Sequence, residues 1–247
     1  MSAMKVLEHF SESLWGETLG ELIAPTRCAG CERQGALLCP DCLEALSRDY
    51  LVQQSCSKCA GPYGALTCTE CWEIEYSFEA ALSVGILDGP LARAVVLMKD
   101  ANERRLAGIL GGILAKHIRL HWRDWLTDKG VITWVPATKE AIRRRGYDHG
   151  ELLAQAVANH LAVPAIPLLA RRPKIKARDQ RGLSRDERFI GSEQFSFAKE
   201  KDLAQHISKV LVIDDVFTTG ATVEAAATTL AQAGIPHIRV AVLGRAW

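Results

Sequence analysis

The chain has almost no net charge, no long apolar run and no cysteine beyond residue 71, and each absence narrows what it can be. Thirty Lys and Arg against 29 Asp and Glu leave a formal charge of +1. No global field therefore draws it to nucleic acid or membrane, and any such contact must come from a local patch. No stretch approaches the ~20 apolar residues that span a bilayer. The nearest, Leu106 to Ala115, is half that length and rich in glycine. Met1 to Phe10 lack the basic region and unbroken apolar core of a secretory leader, so the expected location is the cytoplasm, with no stable membrane insertion. What is present, 48% apolar residues in a 247-residue chain, suffices for one medium domain plus a small appendage.

All eight cysteines lie between Cys28 and Cys71, in four Cys-x-x-Cys pairs: Cys28/Cys31, Cys39/Cys42, Cys56/Cys59 and Cys68/Cys71. Each such turn presents two thiolates at metal-ligand spacing, and two turns complete a tetrahedral Zn(Cys)4 site. Four turns therefore supply two closed, structural zinc sites. Disulfides are the competing reading, but a cytosolic chain is kept reduced. Either consecutive pairs share a zinc or the pairs interleave in a cross-brace. A segment of ~45 residues has too little core to fold without such a staple. The expected units are a lead-in over 1–27, carrying an amphipathic helix over 4–22, a double zinc module over 28–75, and an α/β domain over 76–247, each with its own core.

The segment Val210-Leu-Val-Ile-Asp-Asp-Val-Phe-Thr-Thr-Gly-Ala-Thr222 carries the chemistry. Val210 to Ile213 read as a buried strand, with Asp214 and Asp215 where it ends. Thr218, Thr219, Gly220, Ala221 and Thr222 form a loop, and Val223, Ala226, Ala227, Leu230 and Ala231 continue as a helix stopped by Gly234. Such a turn aims backbone N–H groups at one spot beside a positive helix N-terminus, which suits a phosphate. Two carboxylates at its rim can accept hydrogen bonds from vicinal hydroxyls, so loop and acids together describe a ribose 5-phosphate. The run resembles the phosphoribosyl-pyrophosphate (PRPP) motif of the type I phosphoribosyltransferases, with every position of that pattern filled.

Elsewhere the pattern alternates strands and helices. Strands are expected at Phe78 to Leu87, Val131 to Val135 and His237 to Leu243. Helices are expected from Pro90 to about His121, with a break near Asn102, and from Gly150 to His160. This alternation points to a mainly parallel sheet flanked by helices, with ligands beyond the C-terminal strand ends. Two basic clusters stand out. Arg143-Arg-Arg-Gly-Tyr-Asp-His149 reads as a mobile anion-gripping loop with an exposed tyrosine. The stretch Arg171, Arg172, Lys174, Lys176, Arg178, Arg181, Arg185 and Arg188 is either a solvated connection or a strip for polyanions.

Together these pieces resemble the ComF family, also called the GntX or competence-protein-F-like family. The likeness rests on Leu22-Ile-Ala-Pro-x-x-Cys-x-x-Cys31, the cysteine module, Lys99 in a helix before the first core strand, Val135-Pro136, the Arg-Arg-Arg-Gly-Tyr-Asp-His run, Gln180-x-x-Leu183 with Arg188, and the PRPP motif. The chain departs from the family at Tyr147 and Asp148, where Phe and Asn are common, and at Gly191, where Asn is common. Asp148 puts a negative charge beside an expected anion. The resemblance implies a type I phosphoribosyltransferase fold behind a zinc module. It further implies that Thr218 to Thr222 hold the 5-phosphate and that Asp214 and Asp215 hold the ribose hydroxyls. Ala137, Thr138 and Lys139 would bind pyrophosphate, with Arg145 closing over it and Mg²⁺ bridging pyrophosphate and ribose oxygens. The reaction would be phosphoribosyl transfer to an acceptor that the sequence does not name, in an organismal context of natural competence. The alternative is a non-catalytic, PRPP-sensing protein of DNA uptake that binds single-stranded DNA or partners a helicase. A purine-salvage transferase with a zinc appendage is the third reading.

Overall fold

Strand β5 (Lys209–Phe217) forms the centre of a four-stranded parallel sheet with β1 (Ala80–Ile86), β2 (Gly130–Trp134) and β6 (His237–Arg245), in the order β1-β6-β5-β2. The computed structural model describes residues 25–47, 55–62, 67–123, 125–126, 130–173, 194–199 and 201–246. The expected helix over 4–22 and the basic residues from Lys174 to Arg188 lie outside them.

The apolar run of β5 is buried on both faces, as a covered parallel strand requires. Because successive side chains alternate, Leu211 and Ile213 enter one core and Val210 and Val212 the other. The first core is closed by α2 (Gly89–Asp100), α3 (Leu106–Trp122) and α5 (His149–Leu161). The second is closed by α7 (Ala221–Gln232) and by the small antiparallel pair β3 (Leu169–Arg171) and β4 (Phe195–Phe197). Short helices α1 (Pro40–Ser47), α4 (Lys139–Arg145) and α6 (Lys201–Gln205) complete the elements. The α/β class, the parallel sheet and its flanking helices agree with the sequence expectation. So does the break after α2, where Asn102 takes a left-handed φ of 62°. Lys99, expected in a helix before the first core strand, sits in α2, directly after β1.

Two expectations need correction. β5 does not stop before its acids: pairing with β6 continues through Asp214 opposite Val242 and Phe217 opposite Arg245. Pairing with β2, by contrast, ends at Trp134 opposite Ile213. The acids therefore lie inside a strand whose neighbour on one side has just left the sheet, which opens a crevice beside them. Nor does the cysteine segment have its own core. Cys28, Cys39 and Cys42 join the α2–α3–α5 core, and Cys56, Cys59, Cys68 and Cys71 join the α7 core. The physical reason is size: so short a segment buries too little by itself. It borrows the sheet instead, with the Ala81 N–H of edge strand β1 donating to the Ser57 carbonyl at 2.8 Å. Among the described residues no helix is long and apolar enough to cross a membrane.

Helices α3 and α5 approach each other at Gly111, where an added Cβ would lie 2.5 Å from Ala156 Cβ. Overpacking of this kind costs about 1–3 kcal/mol. Gly111→Val is expected to lower the urea midpoint accordingly, whereas Gly108→Ala, with open space around its Cα, leaves it unchanged or raised. Equal midpoints for Gly111→Val and the parent would show that the two helices are not pressed together here.

Candidate functional site

Two tetrads of cysteine come together in space: Cys28, Cys31, Cys39 and Cys42, and Cys56, Cys59, Cys68 and Cys71. Within each tetrad all sulfurs lie within 4.8 Å of one another. Consecutive pairs thus share a site, and the cross-braced alternative is not adopted. All eight are free thiols. The Cys31–Cys39 and Cys59–Cys68 sulfurs are 3.6 and 3.8 Å apart. A tetrahedron of Zn–S bonds near 2.3 Å has edges of about 3.8 Å, so both tetrads fit zinc. Backbone amides support them: Gly30 and Cys39 donate to Cys28 Sγ, and Cys68 donates to Cys56 Sγ. Gly30 is required by close approach, since a Cβ there would sit 2.6 Å from Cys42 Sγ. With four protein ligands each, these sites have no open position for catalysis.

The second constellation lies at the C-terminal end of β5. Asp214 and Asp215 are both buried, and the Asp215 amide donates to Asp214 Oδ1 at 2.9 Å. Two adjacent buried carboxylates cannot ionise with equal ease. Burial first, and then the Asp215 charge, push Asp214 up to about 8. Burial also opposes the ionised form of Asp215, but it is outweighed by His149 and Lys99, which hold Asp215 well below the usual carboxylate range. Lys99 Nζ lies 2.6 Å, and His149 Nε2 3.1 Å, from Asp215 Oδ2.

Thr218, Thr219 and Gly220 follow the strand, and Ala221 and Thr222 open α7. Gly220 has φ of 80°, a left-handed conformation natural to glycine, and a Cβ there would strike the Phe217 ring at 2.7 Å. The cap residue Gly220 offers this helix no side chain; Thr219 Oγ1 accepts from the Ala221 N–H at 3.4 Å, and the helix N-terminus faces the loop. Arg245 braces the loop from behind by donating to the Phe217 and Thr218 carbonyls.

Across the crevice, Ala137, Thr138 and Lys139 leave β2 and enter α4. Thr138 caps the helix by accepting from the Ala141 N–H at 3.1 Å. Asp148 Oδ2 accepts from the Ala137 N–H at 2.9 Å while its Oδ1 caps α5 through Gly150 and Glu151. Its charge, out of place beside an anion, is therefore used to hold two backbone segments together. Arg171 Nε donates to the Pro136 carbonyl at 2.7 Å, and its guanidinium lies over the Phe195 ring. Burial lowers its pKa, against the pull of Asp214 and Asp148. The Ala137–Lys139 turn follows β2 and the Thr218–Thr222 loop follows β5, so both lie beyond the C-terminal ends of paired neighbouring strands, on the side of the acids.

The Arg143 to His149 run is not a loop. Arg143, Arg144 and Arg145 form the last turn of α4, where positive charge suits the helix C-terminus, Gly146 ends it in the left-handed region, and His149 begins α5. Tyr147, expected exposed, is 8% exposed and donates to the Met98 carbonyl. Arg145 does not overhang the Ala137–Lys139 turn. Its side chain is 9% exposed and reaches Asp100 at 2.8 Å and His149 Nδ1 at 3.0 Å. Sequence reasoning puts His149 in an anion-gripping run and Arg171 in a strip for polyanions, but places neither beside the acids, and gives Lys99 no role. It had a usable signal only for Asp148, whose Asp-x-x-Glu spacing to Glu151 marks a helix start.

Comparison with known proteins agrees with the family resemblance. The chain is 29% identical over 226 residues to competence protein F of Haemophilus influenzae, covering 89% of this chain and 90% of that protein. It is 25% identical over 233 residues to the DNA utilization protein YhgH of Salmonella typhi, covering 91% of this chain and 99% of that one. It is thus a homologue of competence protein F. No family model matches the chain. Among solved structures, an allosteric regulatory enzyme of purine biosynthesis aligns at 19% identity and a TM-score of 0.37, over 57% of this chain. The glutamine PRPP amidotransferase of B. subtilis aligns at 16% and 0.35, over 58%. This chain spans about a quarter of each, 25% and 27%.

Metal analysis of protein purified under reduction is expected to find two zinc ions per chain; fewer than one, or four disulfides by mass spectrometry, would refute the tetrads as zinc sites. The acids generate a second expectation. A carboxyl whose folded pKa is raised binds its proton more tightly when folded, so its ionisation costs nothing below pH ~4 and costs progressively more up to its folded value near 8. Asp214→Asn removes that cost. The variant is expected to gain on the parent by at least ~1 kcal/mol between pH 4.5 and 8, read as a widening difference in urea midpoint. A constant difference would mean that Asp214 is ionised throughout.

Proposed function

We propose that this chain is a ComF-like member of the phosphoribosyltransferase class that binds PRPP with Mg²⁺ in the crevice beside β5. The observation that carries the reading is the unbroken path from two buried acids, through a Thr-Thr-Gly loop, into a helix N-terminus whose cap residue is glycine. The N–H groups and hydroxyls of Thr218 to Thr222 receive the 5-phosphate, and Asp214 and Asp215 receive the ribose hydroxyls. The turn at Ala137, Thr138 and Lys139 takes the pyrophosphate. Mg²⁺ accompanying PRPP would supply charge neutralisation for the leaving group.

Displacement at C1 needs positioning and charge stabilisation more than covalent help. The acceptor's lone pair forms the new bond to C1, the C1–O bond to pyrophosphate breaks with its electrons on the leaving oxygen, and the acceptor's proton is lost to solvent. In this division residues 28–75 form the zinc module and 76–247 the PRPP-binding unit, working in the cytoplasm, where thiols stay reduced. A second reading is supported by the printed names of the relatives, a competence protein and a DNA utilization protein. In it, PRPP occupancy serves DNA uptake, and the exposed Arg143 and Arg144 meet single-stranded DNA or a helicase.

Calorimetric titration of the zinc-replete protein with PRPP and Mg²⁺ is the test. Saturable binding is expected. Asp215→Asn should weaken it at least ~10-fold, since a hydrogen bond to a charged group contributes about 1.5–3 kcal/mol. Asp214→Asn should matter less at pH 7, because burial favours the protonated carboxyl there. Equal affinity in the Asp215 variant would refute the pocket assignment. Titration with single-stranded DNA separates the readings: affinity falling steeply with salt supports the DNA role, and none at physiological ionic strength removes it.

A further inference from the structure

The chain Asp100–Arg145–His149–Asp215–Lys99 crosses four elements, namely the end of α2, the end of α4, the start of α5 and the C-terminal part of β5. Arginine has five donors and no acceptor. Where Arg145 Nη1 lies 3.0 Å from His149 Nδ1, that ring nitrogen must be the acceptor, so the imidazole carries its proton on Nε2. That nitrogen lies 3.1 Å from Asp215 Oδ2, within ion-pair distance though off the straight line of a hydrogen bond. Lys99 comes to the same oxygen at 2.6 Å. Asp100 in turn holds Arg145 at 2.8 Å. Every member has its direction set by the next, and the only neutral one, His149, sits between two charges.

We infer that His149, oriented by Arg145, is a positioning residue that together with Lys99 anchors Asp215 by its Oδ2, leaving Oδ1 as the oxygen that reads the ribose. Arg145 then acts through His149 and does not clamp the pyrophosphate. Its exposure, 9% of the side chain, fits a support more than a lid. The anchoring has a physical purpose. A carboxylate beside a second acid would otherwise turn away from it or take up a proton. Two nitrogens held within 3.1 Å of one oxygen keep Asp215 ionised and in place before any ligand arrives, so little ordering is left to the binding step. The inference rests on the PRPP reading for the ligand, but not for the tautomer.

Three variants and two readouts test it. Glutamine can replace both functions of the ring, its amide oxygen accepting from Arg145 and its amide nitrogen donating to Asp215, whereas leucine can do neither. The ¹⁵N shifts of the His149 ring in the ligand-free protein, assigned by the signals lost in His149→Gln, are expected to show the Nε2–H tautomer. In Arg145→Met that preference should be lost. PRPP affinity should fall at least ~10-fold in His149→Leu and Arg145→Met and return to within ~3-fold of the parent in His149→Gln, one decade corresponding to about 1.4 kcal/mol. An Nδ1–H tautomer or a protonated ring at neutral pH overturns the relay, whatever PRPP does. Parent-like affinity in folded His149→Leu overturns the positioning role. If the parent binds no PRPP, the ribose reading fails and the ring spectrum alone decides the relay.

Discussion

A pair of adjacent buried carboxylates is the constraint around which the α/β domain is arranged. Asp214 and Asp215 point from a strand, so their side chains leave on opposite faces and meet different surroundings. Asp215 faces the α2–α5 side, where Lys99 and His149 offset its desolvation. Asp214 has no such direct partner among the described residues: Lys99 and Arg171 act on it only at a distance, and burial prevails. Paired titratable groups driven apart by their environments are characteristic of working sites. In a strand with no task, two apolar residues would serve better, since a buried charge is rarely the more stable choice.

The remaining elements can be understood as what this arrangement needs. β2 leaves the sheet one residue before the acids, which opens the crevice. Asp148 then ties the departing chain to the start of α5 through Ala137, and Arg171 holds it from the other side through Pro136. Both contacts use side chains to satisfy backbone groups that have lost their ladder partners. The crevice is therefore built from fixed backbone, and the groups lining it are held before a ligand comes.

Much of this was legible in sequence, for identifiable reasons. The run of β-formers before Asp214, the loop at Thr218 to Thr222 and the cysteine spacing are local signals, and local signals survive without coordinates. The cysteine tetrads form from consecutive pairs because the loop between Cys31 and Cys39 is short enough to close by itself. What escaped depends on contacts between distant segments. Lys99 and Asp215 are 116 positions apart, and nothing in either neighbourhood announces the other. Tyr147 was misjudged because a tyrosine among arginines looks solvated, yet its ring lies beneath Arg104 and its hydroxyl meets the Met98 carbonyl. The Arg143–Arg145 run reads as a loop in sequence because basic residues dominate it. The caps that make it a helix, Thr138 and Gly146, sit just outside the run.

The cysteine segment also has a consequence for the crevice. Its second tetrad is packed in the α7 core, and Tyr76, five residues after Cys71, lies against that cysteine's sulfur and stacks on Phe78. Ser77, the next residue, donates through both its amide and its hydroxyl to Glu224, in the first turn of α7. Glu224 thus pins the start of the loop helix to the chain leaving the metal tetrad. It does so with an acid at a helix N-terminus, where negative charge is favourable in any case. A loop such as Thr218 to Gly220, with few contacts of its own, keeps one shape only if both ends are held. Phe217 and Arg245 hold one end, and the Ser77–Glu224 contact holds the other. The cysteine tetrads are therefore a foundation for the site, and the short segment that cannot fold alone contributes rigidity to the loop through Ser77 and Glu224.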